Sequence, residues 1–322
     1  MSSQYQIAFW NLENLFDIED SPRRSDRLQR VIGKDLKGWT QPLLDRKTNQ
    51  LASIIRQMND GRGPDILGIC EVENDHVLRL LVQALAPLGR NYSIAHHDMS
   101  DNRGIDVGFI YDDDLFTNEA QFSHVVMRRT ATRDIFQVNF RTEHGRLFVL
   151  VGNHWPARSG GRLESEGYRA IAGETVAYFH QRILEVHGKE TPILALGDFN
   201  DEPFNTALVD YALSTRSRTK VTNARSPRLF NLMWPLMGQS IGSHYYNNFP
   251  NMLDQFLVNK NLFKQNAPIQ ILPASVQIER FPEMVDDGDY PKPIRFGGMG
   301  KKVNQDGFSD HFPITLIVSE AD

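Results

Sequence analysis

Six short stretches of this chain carry side chains able to do chemistry together. Asp198 and Asn200 follow the apolar run Ile193–Leu196 and Gly197. Extended backbone there puts the carboxylate and the amide on one side and Phe199 on the other. The same alternation pairs Asn11 with Glu13 after Gln6–Trp10, and Glu71 with Glu73 at the end of Asp65–Val72. His154 follows Leu147–Val151, Asp254 lies in Leu253–Val258, and Asp310 and His311 precede Ile314–Val318. A charge at the end of a buried strand is costly unless a metal, a partner or water receives it. Oxygen donors dominate this set, and the only cysteine, Cys70, sits inside an apolar run. Carboxylates and amides without thiolates favour a hard cation, Mg²⁺ or Mn²⁺, over zinc. Mg²⁺ takes one or two protein carboxylates and keeps positions for water and substrate phosphate. The two histidines are then free for proton transfer or for stabilising charge. No serine sits in a Gly-x-Ser-x-Gly elbow, which argues against a serine nucleophile.

Each stretch also has a plainer reading. Gly-Asp-x-Asn-Asp is ordinary turn chemistry. Glu73 reads better as a solvated or helix-starting acid beside Asn74 than as a ligand. Arg158 is taken to contact substrate, and Arg103 with Asp106 to edge the site, although all three also fit an ordinary surface. His96, His97 and His244 are taken as structural or rim residues, and Trp155 as a packing residue.

These side chains need rigid elements behind them. Leu43–Met58 and the segment after Asn74 carry apolar residues at helical spacing, and Asn74 or Asp75 suits a helix cap. Phe136–Phe140 and Leu147–Val151, joined through Thr142-Glu143-His144-Gly145, predict an antiparallel hairpin. Further strands are expected near Tyr92–His96 and Ile105–Tyr111, and a long helix over Glu164–His187. Asp17–Pro42, Ser214–Pro250 and Phe281–Gly307 read as long irregular excursions, which are often functional. Hairpins and strand–helix units interleave along the chain, so one α/β domain over residues 1–322 with mixed sheets is expected.

Composition narrows the classes. The chain has 322 residues, 40% hydrophobic and 23% charged, as in an ordinary soluble globular protein. Net charge is −5, so no global basic field advertises nucleic acid, and a phosphate-bearing partner needs a local basic patch or a bound cation. A single cysteine excludes a disulfide framework and a thiolate zinc site. The start, Met1-Ser-Ser-Gln-Tyr-Gln, lacks a signal-peptide pattern and no stretch reaches the length of a membrane span. The expectation is a cytoplasmic enzyme with no transmembrane segment and no obligate protein partner.

In order along the chain stand Trp-Asn-Leu-Glu-Asn-Leu-Phe, Cys-Glu-Val-Glu-Asn, Asn-His-Trp-Pro-Ala-Arg, Gly-Asp-Phe-Asn, Leu-Asp-Gln-Phe-Leu-Val and Ser-Asp-His-Phe-Pro. Together they resemble the endonuclease/exonuclease/phosphatase superfamily, from Ile7 to about Val318. The opening and the Asn-His-Trp-Pro stretch are most similar to a bacterial subgroup described as nucleases. The resemblance implies a four-layer α/β sandwich, two mixed β-sheets packed face to face with helices outside. It also implies metal-dependent hydrolysis of phosphoesters. Nucleic acid is the leading substrate. A phospholipid headgroup, an inositol phosphate or another small phosphoester is the alternative, and a non-catalytic scaffold the third reading.

Carried over residue by residue, the resemblance makes Glu71 the main metal carboxylate, with Asn11 and Glu13 beside it and Asp310 as a second metal-side acid. Asp198 resembles the aspartate that orients or deprotonates the attacking water, and Asn200 the donor to the phosphate or its nucleophile. Asp254 resembles the acid that orients a histidine, here His311. His154 matches the DNase-like members, in which a second histidine lies near the leaving group. Whether Asp198 or His311 is the base stays open at this point. A lipid substrate calls for an exposed apolar loop, for which Leu229–Met237 is the candidate.

Overall fold

The structure, a computed structural model, describes residues 2–158, 160–300 and 302–321. Strands β1 (Ser3–Leu15), β2 (Ile66–Val72), β3 (Tyr92–His96) and β4 (Asp106–Asp112) open one sheet. Strands β5 (Phe116–His124), β6 (Ile135–Thr142), β7 (Leu147–His154), β8 (Ile193–Asp198), β9 (Ser214–Thr215) and β10 (Leu229–Asn231) build a second. A small ribbon, β11 (His244–Tyr246) and β12 (Phe249–Asn251), precedes β13 (Asp254–Val258), which returns to the second sheet. The last strands, β14 (Ile269–Ile278) and β15 (Ile314–Glu320), complete the first. The orders are β14-β15-β1-β2-β4-β3 and β5-β6-β7-β8-β13-β10-β9. Both sheets are mixed: β1 runs parallel to β2 and β7 to β8, while most other pairs are antiparallel.

The two sheets face each other through apolar strands. Phe9, Phe109, Phe136, Phe140, Leu150 and Leu196 belong to one buried cluster that spans them. Two glycines let them close. A methyl group on Gly68 would meet Leu196, Phe9 and Phe109 at 3.1–3.2 Å, and one on Gly152 would lie 2.7 Å from Val107. Helices Gln41–Ile55 and Asp75–Ala84 add Leu44, Leu51, Ile55, Val77, Leu78 and Leu81 to that cluster from the outside. Asn74 caps the second of these through a bond from the Val77 amide. On the other side, helix Glu166–His187 packs Ala172, Val176 and Ile183 over β7 and β8. The order helix, sheet, sheet, helix is the expected four-layer sandwich.

Some elements differ from the expected pattern. β5 reads Phe-Thr-Asn-Glu-Ala-Gln-Phe-Ser-His and is mostly solvent-facing, so it lacks the apolar signal of a buried strand. β14 contains Pro273 within an irregularity between Leu272 and Gln277, where an edge strand tolerates a missing donor. Leu229, Leu232 and Met233 are buried, so the first part of the Leu229–Met237 stretch belongs to the core, while Trp234, Leu236 and Met237 are half-buried. No helix among the described residues is long and apolar enough to cross a membrane.

His180, on the inner face of helix Glu166–His187, is 4% exposed, and burial alone pushes its imidazole down to about 4 from an unfolded 6.5. Between those values the unfolded chain binds the extra proton, so stability is lost as pH falls below 6.5. Linkage gives about 2 kcal/mol from this group at pH 5. Urea unfolding at pH 7 and pH 5 is expected to show that loss, and His180→Gln to remove about that much of the difference; an unchanged difference refutes the assignment.

Candidate active site

The sheet registers assemble the site. Asp198, the last residue of β8, lies directly opposite His154 on β7 and Asp254 on β13. Three candidate side chains therefore stand in one row across three strands. β1 and β2 bring Asn11 and Glu71 to the same end from the facing sheet. His311 arrives just before β15, fixed by a bond from the Trp10 indole to its carbonyl at 2.8 Å. Ser309 Oγ, in turn, donates to the Asn11 carbonyl.

Asp198 is the hub. Its Oδ1 accepts the Asn200 backbone N–H at 2.8 Å, and its Oδ2 accepts the amides of Asn11 and Asn200 at 3.2 and 3.3 Å. Both histidines point a nitrogen at that second oxygen, His154 Nε2 at 3.8 Å and His311 Nε2 at 3.9 Å. His311 Nδ1 lies 2.7 Å from Asp254 Oδ2, an acid–imidazole pair that fixes ring orientation. Ser243 Oγ accepts the backbone N–H groups of Leu253 and Asp254, and the His244 ring stands 4.7 Å from that of His311. Glu71 Oε1 is 3.6 Å from His154 Nε2, beyond hydrogen-bond length, while its Oε2 accepts the Asn14 N–H.

Asn200 does not extend the strand. Its φ of +49° turns the chain so that its own N–H and side chain fold back on Asp198. Glu13, Asn14 and Glu71 share this left-handed backbone, at +50°, +61° and +63°. Non-glycine residues held there cost free energy, and such strain concentrates at functional sites.

Crowded acids set the electrostatics. Burial pushes the Asp198 and Glu71 carboxyls upward, and neighbouring carboxylates push further. Burial works to lower His311, but the carboxylates of Asp254, Asp198 and Asp310 together outweigh it and hold the imidazole well above its usual value. His154 falls well below its usual value through burial, with the Arg133 and Arg103 charges adding to the effect.

The donor set suits a hard cation in two ways that disagree. Asp198, Asp254 and His311 offer ligand atoms within 4.8 Å of one another. His311 Nδ1 and Asp254 are already hydrogen-bonded, however, and both Asp198 oxygens accept amide N–H groups. Glu71 and Asp310 keep 14% and 29% of their side-chain surface open and lie at the mouth, which makes them the better carboxylates for an ion that also meets substrate. Asn11 Oδ1 accepts only the Glu13 N–H and retains a lone pair.

Four expectations are corrected. The positive φ at Glu13 breaks the alternation with Asn11 and swings its carboxylate aside. Glu13 Oε1 takes the Arg295 fork and Oε2 the N–H groups of Phe296 and Gly297, so all four lone pairs are used and none is left for a metal. Arg158 does not face substrate. Its Nε donates to the Asn200 carbonyl at 2.6 Å and its other nitrogens hold Asn251, Asn205 and Asp201, which clamps the turn behind Asp198. Asp106 is tied to His96 at 3.1 Å and to the Met99 N–H, and burial pushes its carboxyl up to about 6. Its carboxylate organises the 97–104 loop and is not open to substrate, although its backbone pairs with Val72 beside Glu71. His96, with this bond, is structural as expected; His244 is more than a rim residue, since it lies against His311.

Arg103 stays at the site, half-exposed, and its charge opposes the rise of the Glu71 carboxyl. Glu73 is a structural acid, held by the buried Arg24 and by the Asp17 N–H. Two cations near the site escaped the sequence reading. Arg295 bridges Glu13 and Asp310 from the Gly- and Pro-rich loop. Lys47 is wholly buried and donates to the Glu13 carbonyl. Lys47 had a signal: it sits three residues after Leu44 and four before Leu51, on the apolar stripe of its helix. Arg295 had none, since nothing in its loop has a period.

Residues 6–320 match the profile of the Endonuclease/Exonuclease/phosphatase family. The chain belongs to this family. With it the chain joins the phosphoester hydrolases, and the row His154, Asp198, Asp254 is its candidate catalytic row within the family fold. No curated protein matches the sequence at a significant level. Solved structures resemble it over nearly the whole chain. An endonuclease/exonuclease/phosphatase family protein from Bacteroides thetaiotaomicron is 14% identical, covers 100% of both chains and has a TM-score of 0.59. The human Nocturnin catalytic domain with bound sulfate is 15% identical, with 99% and 98% covered and a TM-score of 0.55. A mannosyl-6-phosphatase of Bacteroides thetaiotaomicron is 16% identical, with 98% and 99% covered and a TM-score of 0.57. At these identities the likeness supports the fold.

Proposed function

We propose that residues 1–322 form one catalytic domain, a Mg²⁺- or Mn²⁺-dependent phosphodiesterase that cleaves DNA or RNA. The observation that carries it is Asp198, held by three amide N–H bonds with two imidazole nitrogens converging on its Oδ2. Three hydrogen bonds fix the carboxylate so that a water between it and a phosphate meets an oriented acceptor. Glu71 and Asp310, with Asn11 Oδ1, would hold the ion, which when bound lowers charge on the phosphoryl oxygens and the pKa of bound water. His311, oriented by Asp254, stabilises charge on the phosphate, the Asn200 amide holds Asp198 and the Trp155 carbonyl in place, and His154 stands on the side of the leaving group.

A specific surface favours nucleic acid. The β11–β12 ribbon begins at His244, against His311, and carries Tyr246 and Phe249 as a paired position 67% and 74% exposed. Exposed aromatics beside a phosphate site are stacking platforms for bases. Tyr246→Ala with Phe249→Ala is expected to lower turnover of single-stranded polynucleotide at least about 10-fold and to leave bis-p-nitrophenyl phosphate unchanged, since stacking is worth about 1–3 kcal/mol per base. Equal losses on both substrates refute the stacking role.

The function is tested by incubating purified protein with plasmid DNA, single-stranded DNA, RNA, bis-p-nitrophenyl phosphate and a sugar phosphate, with Mg²⁺ or Mn²⁺ and then with EDTA. EDTA-sensitive cleavage of a polynucleotide supports the reading. Hydrolysis confined to the sugar phosphate or the small diester overturns the substrate class, and inactivity on all of them overturns the catalytic reading.

A further inference from the structure

A cavity of about 630 Å³ lies at the opposite end of the second sheet from the catalytic row. It opens between helix Glu166–His187 and the 221–228 segment, with Asn259 to Asn261 as its floor. β8 starts there, where Ile193 bonds Asn259, and ends at Asp198. Five residues of extended chain put roughly 17 Å between the two places.

Two features of the cavity lack a counterpart. Four cations line it, Lys189, Arg225, Arg228 and Lys260. Among the described residues none of the four has a carboxylate within ion-pair distance, whereas Arg24, Arg90, Arg133, Arg158, Arg169 and Arg295 each have one. The one acid in the lining, Glu185, is already taken by Arg182 and Gln181. At the base, two polar side chains that are 4% exposed hold atoms without a partner, His180 Nε2 and Asn261 Oδ1. Asn261 uses its nitrogen on the Lys189 and Thr191 carbonyls, which fixes its oxygen as an unpaired acceptor. Buried polar atoms are ordinarily satisfied, so each such pair of orphans calls for an explanation. Leu184, Val221 and Pro227 supply apolar wall between the base and the cationic rim.

We infer that this cavity is a second ligand site, for a small phosphomonoester whose ring-bearing body carries hydrogen-bonding groups, a nucleoside or sugar phosphate. The unpaired cations receive the phosphate, as guanidinium and ammonium groups do. The body reaches the base, gives a donor to Asn261 Oδ1 and meets His180 Nε2. The volume fits a ligand of this size and is far larger than inorganic phosphate needs. The site stands apart from the catalytic residues and does not depend on the substrate assigned to them.

Calorimetric titration of the full chain in EDTA tests this, with adenosine monophosphate, glucose 6-phosphate and inorganic phosphate as separate probes. One of the two organic phosphates is expected to bind with a Kd below about 1 mM. Arg225→Glu with Arg228→Glu, exposed and half-buried on the rim, is expected to weaken it at least about 10-fold while metal-dependent hydrolysis and the unfolding midpoint hold. The ¹⁵N resonances of the His180 imidazole are expected to move on ligand addition. The site is overturned if neither organic phosphate binds, if the double variant binds as well as the wild type, or if the His180 signals stay still. Inorganic phosphate binding as tightly as either ester overturns the claim that the base reads the ligand's body.

Discussion

Asp198→Asn is expected to reduce metal-dependent phosphoester hydrolysis by about 10³-fold or more with little change in unfolding midpoint. Positioned proton acceptors contribute about 10²–10⁴-fold, and this one is also where the three holding amides and both histidines converge. The replacement keeps the shape and one acceptor oxygen. It removes the charge and turns an acceptor into a donor facing the amides of Asn11 and Asn200. Burial works against the charged form here, so folding gains from neutralising it part of what the lost hydrogen bonds cost. Activity and stability are thus expected to separate, which a purely structural acid would not allow. The assay is hydrolysis at saturating Mg²⁺ beside thermal unfolding of both proteins. Near wild-type turnover removes Asp198 from the chemistry.

The sequence made the strand-end acids legible because strand ends carry their own punctuation. Ile193–Leu196 closed by Gly197, and Leu147–Val151 running into Asn-His, fix where the apolar core stops and therefore where Asp198 and His154 stand. The register that sets them side by side is a property of pairing between residues 44 apart in sequence, His154 with Asp198, which no local pattern contains. Errors arose where the backbone left the regular region. Alternation predicts Glu13 beside Asn11, and a left-handed Glu13 and Asn14 turn it to Arg295 instead. Arg158 failed for a different reason. A cation two residues past a histidine motif is equally able to hold a turn or a phosphate, and the carbonyl of Asn200 claimed it. Lys47 shows the opposite case, a charge on an apolar stripe that periodicity marks as buried and that only the three-dimensional neighbours explain. It sits among Glu13, Asp310 and Glu71, whose charges oppose the burial that lowers its pKa. Such a fixed cation beneath the acids offsets part of their mutual repulsion.

The second large effect distinguishes two histidines that look alike in stability terms. His311 and His96 are each mostly buried, and each pairs with a buried aspartate, Asp254 at 2.7 Å and Asp106 at 3.1 Å. Truncating either leaves a buried carboxylate without its imidazole, at a cost of about 1–3 kcal/mol. Only His311 also presents a second nitrogen to Asp198, at 3.9 Å, with Glu71 and Asp310 near enough to act on its charge. His311→Ala is therefore expected to lose about 10²–10⁴-fold in turnover. His96→Ala is expected to stay within a few-fold of wild type at a temperature where both variants are folded. Urea midpoints measured alongside correct for the shared stability loss. Equal activity losses in the two variants would mean that the catalytic row has been placed at the wrong end of the sheet. A large loss in His311→Ala alone locates the chemistry where β7, β8 and β13 bring His154, Asp198 and Asp254 into register.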